Sequence, residues 1–222
     1  MNILVISDLH LDSHFEPKRY KRLCELISES NQVIICGDFW EGHGMDFDDF
    51  LKTQWVDLFP LLKSKNTVYV FGNHDRRDRS DERIYQFCDT ATEQYKAVVG
   101  DVHYIFEHGN RLSPKIDAIL GIRKANPIYF AISEWVQLAF VKLFGIKGFW
   151  IMFYGQNEKI KAASAQEFGH LGNYMYVCGH TDCAEIDLPR HFANSGLCKY
   201  GYIQYLTIEK DGGVELHMET YK

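Results

Sequence analysis

The sequence predicts an α/β protein with a largely parallel sheet whose strands finish at a common edge. Three observations carry this. Five short apolar runs, rich in β-branched or aromatic residues, each stop at an Asp, Asn or His: ILVIS before Asp8, VIICG before Asp38, VYVFG before Asn73, HYIFE before His108 and YMYVCG before His180. Helical patterns separate the first three runs, as strand–helix–strand units require. The length, 222 residues, suits one domain over 1–222 with an inserted subdomain and is short for two independent cores.

The elements follow in order. After ILVIS comes PKRYKRLCELI (17–27), a helix in which Tyr20, Leu23, Cys24 and Ile27 recur at helical spacing and Pro17 suits a first turn. VIICG is the second strand, and Phe47 to Leu62 reads as a second helical segment through Phe47, Phe50, Leu51, Val56 and Leu58. VYVFG, HYIFE and YMYVCG supply three further strands. The C-terminal part reads as β in AEIDL, RHFANSG, YGYIQYLTIEK and GVELHMETY, with DGG at 211–213 as a hairpin turn. Ligands of parallel sheets bind beyond the carboxyl ends of the strands, so the five polar termini should converge. Gly37, Gly72 and Gly179 precede three of them, where a residue without Cβ lets the chain turn close to a bound group.

Composition narrows the classes. The formal net charge of −6 opposes sequence-independent nucleic-acid binding, which relies on many Lys/Arg–phosphate contacts. Six scattered cysteines with no CxxC pair read as reduced thiols of a cytoplasmic protein, and Cys36 and Cys178 inside strands act as small hydrophobes. MNILVISDLH lacks the basic start of a signal peptide and is interrupted by Asp8. With no uncharged apolar run of ~18 residues, no membrane-spanning helix is expected.

The strand ends assemble a donor set. In SDLHL, Asp8 and His10 are two apart and point the same way along an extended segment. With Asp38, Asn73, His108 and His180 they give carboxylate, amide and imidazole donors without thiolate, a set that suits Mn²⁺, Fe or Zn²⁺ better than Ca²⁺ or Mg²⁺. So many donors exceed one ion with open positions but fit two ions sharing a carboxylate. Two metals ~3.5–4 Å apart clamp the attacking and leaving oxygens of an in-line displacement and make a nucleophile of water at neutral pH.

The ordered set SDLH (7–10), GDFWE (37–41), GNHD (72–75), EHGN (107–110) and GHTD (179–182) resembles the calcineurin-like metallophosphoesterases over residues 3 to about 208. The resemblance implies a four-layer αββα sandwich of two mixed sheets, the C-terminal strands forming the second. It implies that Asp8 and His10 hold a first divalent ion, Asp38 bridges, and Asn73, His108 and His180 hold a second. Mn²⁺ is the first choice, with Fe, Zn²⁺ or Mg²⁺ as alternatives. His74 would stabilise charge on phosphorus or protonate the leaving oxygen, and Asp75 would orient its ring. The family usually has a second His two residues after His180, where this chain has Asp182. Two readings stand: Asp182 is a carboxylate ligand of the first ion, favouring Mn²⁺ or Mg²⁺, or it points away and water, His14, His43 or Cys183 completes that site. Among the arginines that follow, Arg111 and Arg76 are the candidates for gripping a substrate phosphate, and Arg79 reads as a surface charge.

Residues 109–178 exceed what a connection between neighbouring strands needs. Within them 112–172 read as a helical insertion, with Pro114 and Pro127 as helix starts and NPIYFAISEWVQLAFVKLFGIKGFWIMFYG as an unusually apolar piece. It is either a lid for an acyl-chain substrate or a membrane surface, or helices packed on each other, on the sheet or on a second copy. This insertion, GDFWE, the K-x-K of Lys159 and Lys161, and ANSG (193–196) resemble the UDP-2,3-diacylglucosamine diphosphatase branch. That branch implies a small-molecule phosphoester or pyrophosphate substrate, lipid- or nucleotide-linked, and peripheral membrane contact through the lid. It usually has Arg at the His74 position and a second His at the Asp182 position. Two other readings are a DNA-processing nuclease, which shares SDLHL and GNHD, and a protein-binding scaffold with a degenerate metal site, which Asp182 favours.

Overall fold

The computed structural model describes residues 2–114, 127–151 and 154–221. Among these, two sheets stack face to face. The first has the order β11-β10-β1-β2-β3-β4, with β1 Ile3–Ile6, β2 Gln32–Cys36, β3 Val68–Val70, β4 Thr90–Thr92, β10 Tyr202–Ile208 and β11 Val214–Thr220. The second has the order β5-β6-β7-β9-β8, with β5 Gln94–Val99, β6 Val102–Glu107, β7 Tyr174–Cys178, β8 Glu185–Asp187 and β9 Phe192–Asn194. Both are mixed. β1, β2, β3 and β4 pair in parallel while β10 runs antiparallel to β1, and β6, β7 and β9 pair in parallel while β5 and β8 are antiparallel edges.

Side-chain alternation builds the layers. Ile3, Val5, Ile34, Cys36, Val68 and Val70 of the first sheet meet Tyr104, Phe106, Met175, Val177 and Ala193 of the second in one inter-sheet core. Leu4, Ile6, Val33, Ile35 and Tyr69 point the other way, onto α1 (Pro17–Glu29), α2 (Phe47–Phe50) and α3 (Phe59–Lys63). Across the molecule, Ile105, Tyr174, Tyr176 and Phe192 pack on Ile160 and Phe168 of α5 (Tyr154–Phe168). Helix, sheet, sheet, helix is the expected four-layer sandwich.

Several expectations are corrected in detail. The five strands ending in Asp, Asn or His do not share a sheet: β1, β2 and β3 lie in the first, β6 and β7 in the second. Their continuous apolarity reflects burial between a sheet and a helix layer in both cases, so the pattern cannot distinguish the sheets. Of the C-terminal strands only β8 and β9 join the second sheet. β10 and β11 form the hairpin turned at DGG, with Gly212 at φ 86, and extend the first sheet antiparallel to β1. The Phe47–Leu62 segment is not one helix. Thr53 is extended (φ −76, ψ 160), which ends α2 and starts a 3₁₀ turn, Gln54–Leu58, before α3. Strands β4 and β5 carry half-exposed, mixed side chains and had no apolar signal to announce them.

In the insertion, α4 (Pro127–Ile151) starts at Pro127 as expected, whereas a helix starting at Pro114 falls outside the described residues. Non-helical backbone at Gly145 (φ 69, ψ 176) breaks α4. Part of the stretch Trp135–Leu171 is apolar and long enough to cross a membrane by length and composition alone, but it makes no clear span. Its second half is occupied: the α5 residues Asn157, Ile160, Lys161, Ser164 and Phe168 are buried on the second sheet. α4 differs. Val141, Ile146 and Phe149 pack on Leu197, but Trp135 (69% exposed), Leu143 (76%), Phe144 (61%) and Ile151 (81%) face outward.

Candidate metal centre

The carboxyl ends of the two sheets meet at one end of the sandwich, and the polar residues there converge. After β1 and β2 the chain continues as two parallel segments, joined by Asp8 N–H to Gly37 O (3.1 Å), His10 N–H to Asp38 O (2.9 Å) and Leu11 N–H to Phe39 O (3.0 Å). Asp8, His10, Asp38, His180 and Asp182 all adopt left-handed backbone, with φ of 50, 44, 51, 70 and 58. This is costly for residues with a Cβ and is tolerated where surrounding structure enforces it, typically at functional sites. Two glycines make the crowding feasible: a Cβ on Gly37 (φ 87) would strike the His108 ring, and one on Gly179 would strike Asp8 and Ser7.

The hydrogen bonds of the imidazoles define which nitrogen carries the hydrogen. His108 Nδ1 lies 2.9 Å from Cys36 O, and His180 Nε2 lies 2.7 Å from Ser113 O. A carbonyl only accepts, so these nitrogens carry the hydrogens. The neutral rings then present lone pairs at His108 Nε2 and His180 Nδ1, which lie 3.1 and 2.8 Å from Asn73 Oδ1. His108 Nε2 is also 3.1 Å from Asp38 Oδ2. With the Asn73 amide as placed, its Nδ2 buried without an acceptor, lone pairs of four residues point at one another, an arrangement that a cation, extra protons or a turn of that amide relieves.

The carboxylates are split in the same way. Asp8 Oδ2 accepts from His180 N–H (2.9 Å) and Asp38 Oδ1 from His74 N–H (2.8 Å). The other oxygens, Asp8 Oδ1 and Asp38 Oδ2, are buried without a hydrogen-bond donor. Asp38 Oδ2 faces His108 and stands 3.8 Å from His10 Nε2 and 3.9 Å from His74 Nε2, the place a bridging ligand needs. Buried orphan oxygens are costly in an interior, and this donor set fits divalent ions. Ligand atoms of Asp8, His10 and Asp182 lie within 4.8 Å of one another, as do those of Asp8, Asp38 and His108. Asp182 thus enters the first group. Of the substitutes considered, His14 is exposed, His43 stacks on His74 (ring centroids 4.0 Å), and Cys183 joins no such group among the described residues.

Without ions, protons occupy this centre. Burial pushes Asp8 up to about 7. Burial opposes charge on His10 and His108, but Glu41 lifts the first and Asp38 the second, each to about 9. Asp38 is also penalised by burial, yet His108 and His74 hold it well below the carboxylate range.

One residue was missed by sequence reasoning and one was assigned the wrong partner. Glu41, buried, accepts from His10 Nδ1 (2.8 Å) and His74 Nδ1 (2.7 Å), so a single carboxylate orients both rings and leaves both Nε2 atoms toward Asp38. Its signal was the last letter of GDFWE. Asp75 does not touch the His74 ring. Its oxygens accept from the backbone N–H of Asp38 (3.1 Å), Phe39 (2.5 Å) and Gly72 (2.7 Å), tying the β2 and β3 turns together. The arginines also have protein partners. Arg111 forms two bonds to Glu107 (2.6 and 3.0 Å) and reaches Glu167, while exposed Arg76 pairs with Asp78. Arg79, read as a surface charge, is half-buried and donates to Gly42 O (2.7 Å) and His74 O (3.2 Å).

Residues 1–184 match the family model of the calcineurin-like phosphoesterases. The chain belongs to that family. It is a metallophosphoesterase by membership, of a family that uses divalent metals, and the groups above are candidate ligand clusters. Similar solved structures include an archaeal phosphodiesterase (15% identity, TM-score 0.50, covering 99% of this chain and 100% of that one). Wild-type Vps29 of Entamoeba histolytica, complexed with Zn²⁺, is another (15% identity, TM-score 0.51, 100% of both chains). At these identities the likeness is one of fold. No curated protein matches the chain.

Proposed function

We propose that the chain is a dinuclear metal-dependent hydrolase of phosphoesters or pyrophosphates. The observation that carries this is the pair of buried, donorless oxygens, Asp8 Oδ1 and Asp38 Oδ2, among imidazole nitrogens whose opposite nitrogens are already bonded. Asp8, His10, Asp38 and Asp182 would hold one ion, and Asp38, Asn73, His108 and His180 the other. When bound, the ions supply a water activated for in-line attack and neutralise phosphoryl charge. The protein's own part is orientation. Glu41 holds the His74 Nδ1–H so that Nε2 faces the reacting side, where the imidazolium form of the ring donates its Nε2–H to the phosphoryl or departing oxygen. Asp75 keeps the turns carrying Asp38 and His74 in register. Arg76, two residues after His74 in sequence and held by an exposed pair to Asp78 that a phosphate can displace, grips the substrate. Arg111, bonded twice to Glu107, is the weaker choice.

The narrower reading is a lipid- or nucleotide-linked pyrophosphate of the UDP-2,3-diacylglucosamine type, cleaved by Mn²⁺, by a cytoplasmic protein that rests on a membrane. Support comes from α4, where Trp135, Leu143, Phe144 and Ile151 are outward and the exposed Lys142 and Lys147 suit an anionic lipid surface. The deciding assay is a metal titration, starting with Mn²⁺, against monoesters, diesters and nucleotide–sugar pyrophosphates, with and without detergent. Two equivalents bound with turnover of a pyrophosphate support both levels. Turnover of aryl phosphodiesters alone removes the narrower one, and binding of less than one equivalent with no turnover removes both.

A further inference from the structure

The insertion contains a buried polar clamp on the loop that carries His180 and Asp182. Asn157 of α5 is fully buried and uses all four of its hydrogen-bonding positions. Its Oδ1 accepts from Thr181 Oγ1 (2.6 Å) and Asn194 Nδ2 (3.2 Å). Its Nδ2 donates to Cys183 O (3.0 Å) and Glu185 Oε2 (2.9 Å). Asn194 closes the ring by donating to Thr181 Oγ1 (2.9 Å) and Gly179 O (2.8 Å). One turn further along α5, Lys161 is buried and paired with Glu185 (2.5 Å) and Asp187 (3.0 Å) of β8. The loop so held is the one whose ligand residues sit at φ 70 and 58 on either side of Thr181. Side chains with a Cβ keep that backbone only when it is enforced from outside.

We propose that Asn157 is a positioning residue for metal binding: through Thr181 and Cys183 it holds the Gly179–Cys183 loop in the conformation that points His180 and Asp182 at the ions. The insertion is then more than a cover, because α5 completes the metal centre from behind. This rests on the two-metal reading above, and its test separates the two. Mn²⁺ affinity and stoichiometry are measured by isothermal titration, and melting of the metal-free protein is recorded in parallel.

Asn157→Leu, of similar volume, should weaken Mn²⁺ binding by about 10–100-fold, the usual cost of losing an outer partner of a ligand. Thr181→Val should do the same and Thr181→Ser should restore it, a pair that also serves if Asn157→Leu fails to fold. Phe168→Leu removes packing from the same helix face without touching the loop, so it should lower the melting temperature and leave metal affinity alone. Wild-type affinity in both Asn157→Leu and Thr181→Val, or an equal loss in Phe168→Leu, overturns the proposal while the two-metal reading stands. A wild-type protein that binds no Mn²⁺ overturns both.

Discussion

The end of the sandwich where the polar strand termini converge and the outer face of α4 are opposites. At the sandwich end, polar side chains are buried and mostly bonded on one side, so what remains free is aimed inward at a common point. On α4, large apolar side chains are outside and uncovered. Even within the insertion the contrast holds, since α4 leaves large apolar side chains exposed while α5 buries the polar Asn157, Lys161 and Ser164 on its inner face. Hydropathy alone does not tell which surface goes inside. Asn157 and Lys161 enter the interior because every hydrogen bond they need is waiting there, while Trp135 and Leu143 stay largely exposed.

The sharpest way to break this comparison is at Asp38. If its free oxygen serves both ions, Asp38→Ala should reduce hydrolysis of an aryl phosphodiester by about 10³-fold or more, since several kcal/mol of charge stabilisation are lost at 1.36 kcal/mol per decade. Full metal-dependent turnover in that variant would mean that the centre is not shared. Glu41→Gln comes next. An amide offers one acceptor where two rings need one each, so His10 or His74 must rotate or change tautomer. Metal affinity or kcat should fall by about 10–100-fold, whereas if Glu41 were only a filler both would be unchanged.

A third expectation concerns pH. Asp8, at about 7, and His10 and His108, at about 9, all hold protons more tightly folded than unfolded. Stability from groups with raised pKa is present at low pH and is lost as pH climbs through the folded value. The contribution of Asp8 is thus lost between about 4 and 7, and that of the two histidines between about 6.5 and 9. Because ions displace these protons, apparent Mn²⁺ affinity should increase from pH 6 to 9, and the melting-temperature gain on adding Mn²⁺ should grow with it. A gain independent of pH would place the ions elsewhere.

The smallest effect on the fold belongs to α4. Trp135→Ser, Leu143→Ser and Phe144→Ser together should shift stability by only about 0.5 kcal/mol per site and leave turnover of a soluble substrate intact, while abolishing co-sedimentation with anionic vesicles. Unchanged sedimentation would argue for another use of this face, and a large loss of stability would show that it is covered after all.

The convergence of residues at the sandwich end was legible because polar side chains at strand ends leave local marks: an apolar run, often a glycine, then Asp, Asn or His. That was enough to name Asp8, His10, Asp38, Asn73, His108 and His180, and to expect helix and sheet layers. Three features depended on tertiary structure. The division of the ligand strands between two sheets is set by which faces of β6 and β7 find the inter-sheet core, and an apolar run reads the same in either sheet. The partner of His74 is Glu41 rather than its neighbour Asp75, because adjacency in sequence says nothing about direction once the turn is bonded to backbone N–H groups. The burial of Asn157 and Lys161 follows from hydrogen bonds across dozens of residues, and no local pattern records where such partners will be.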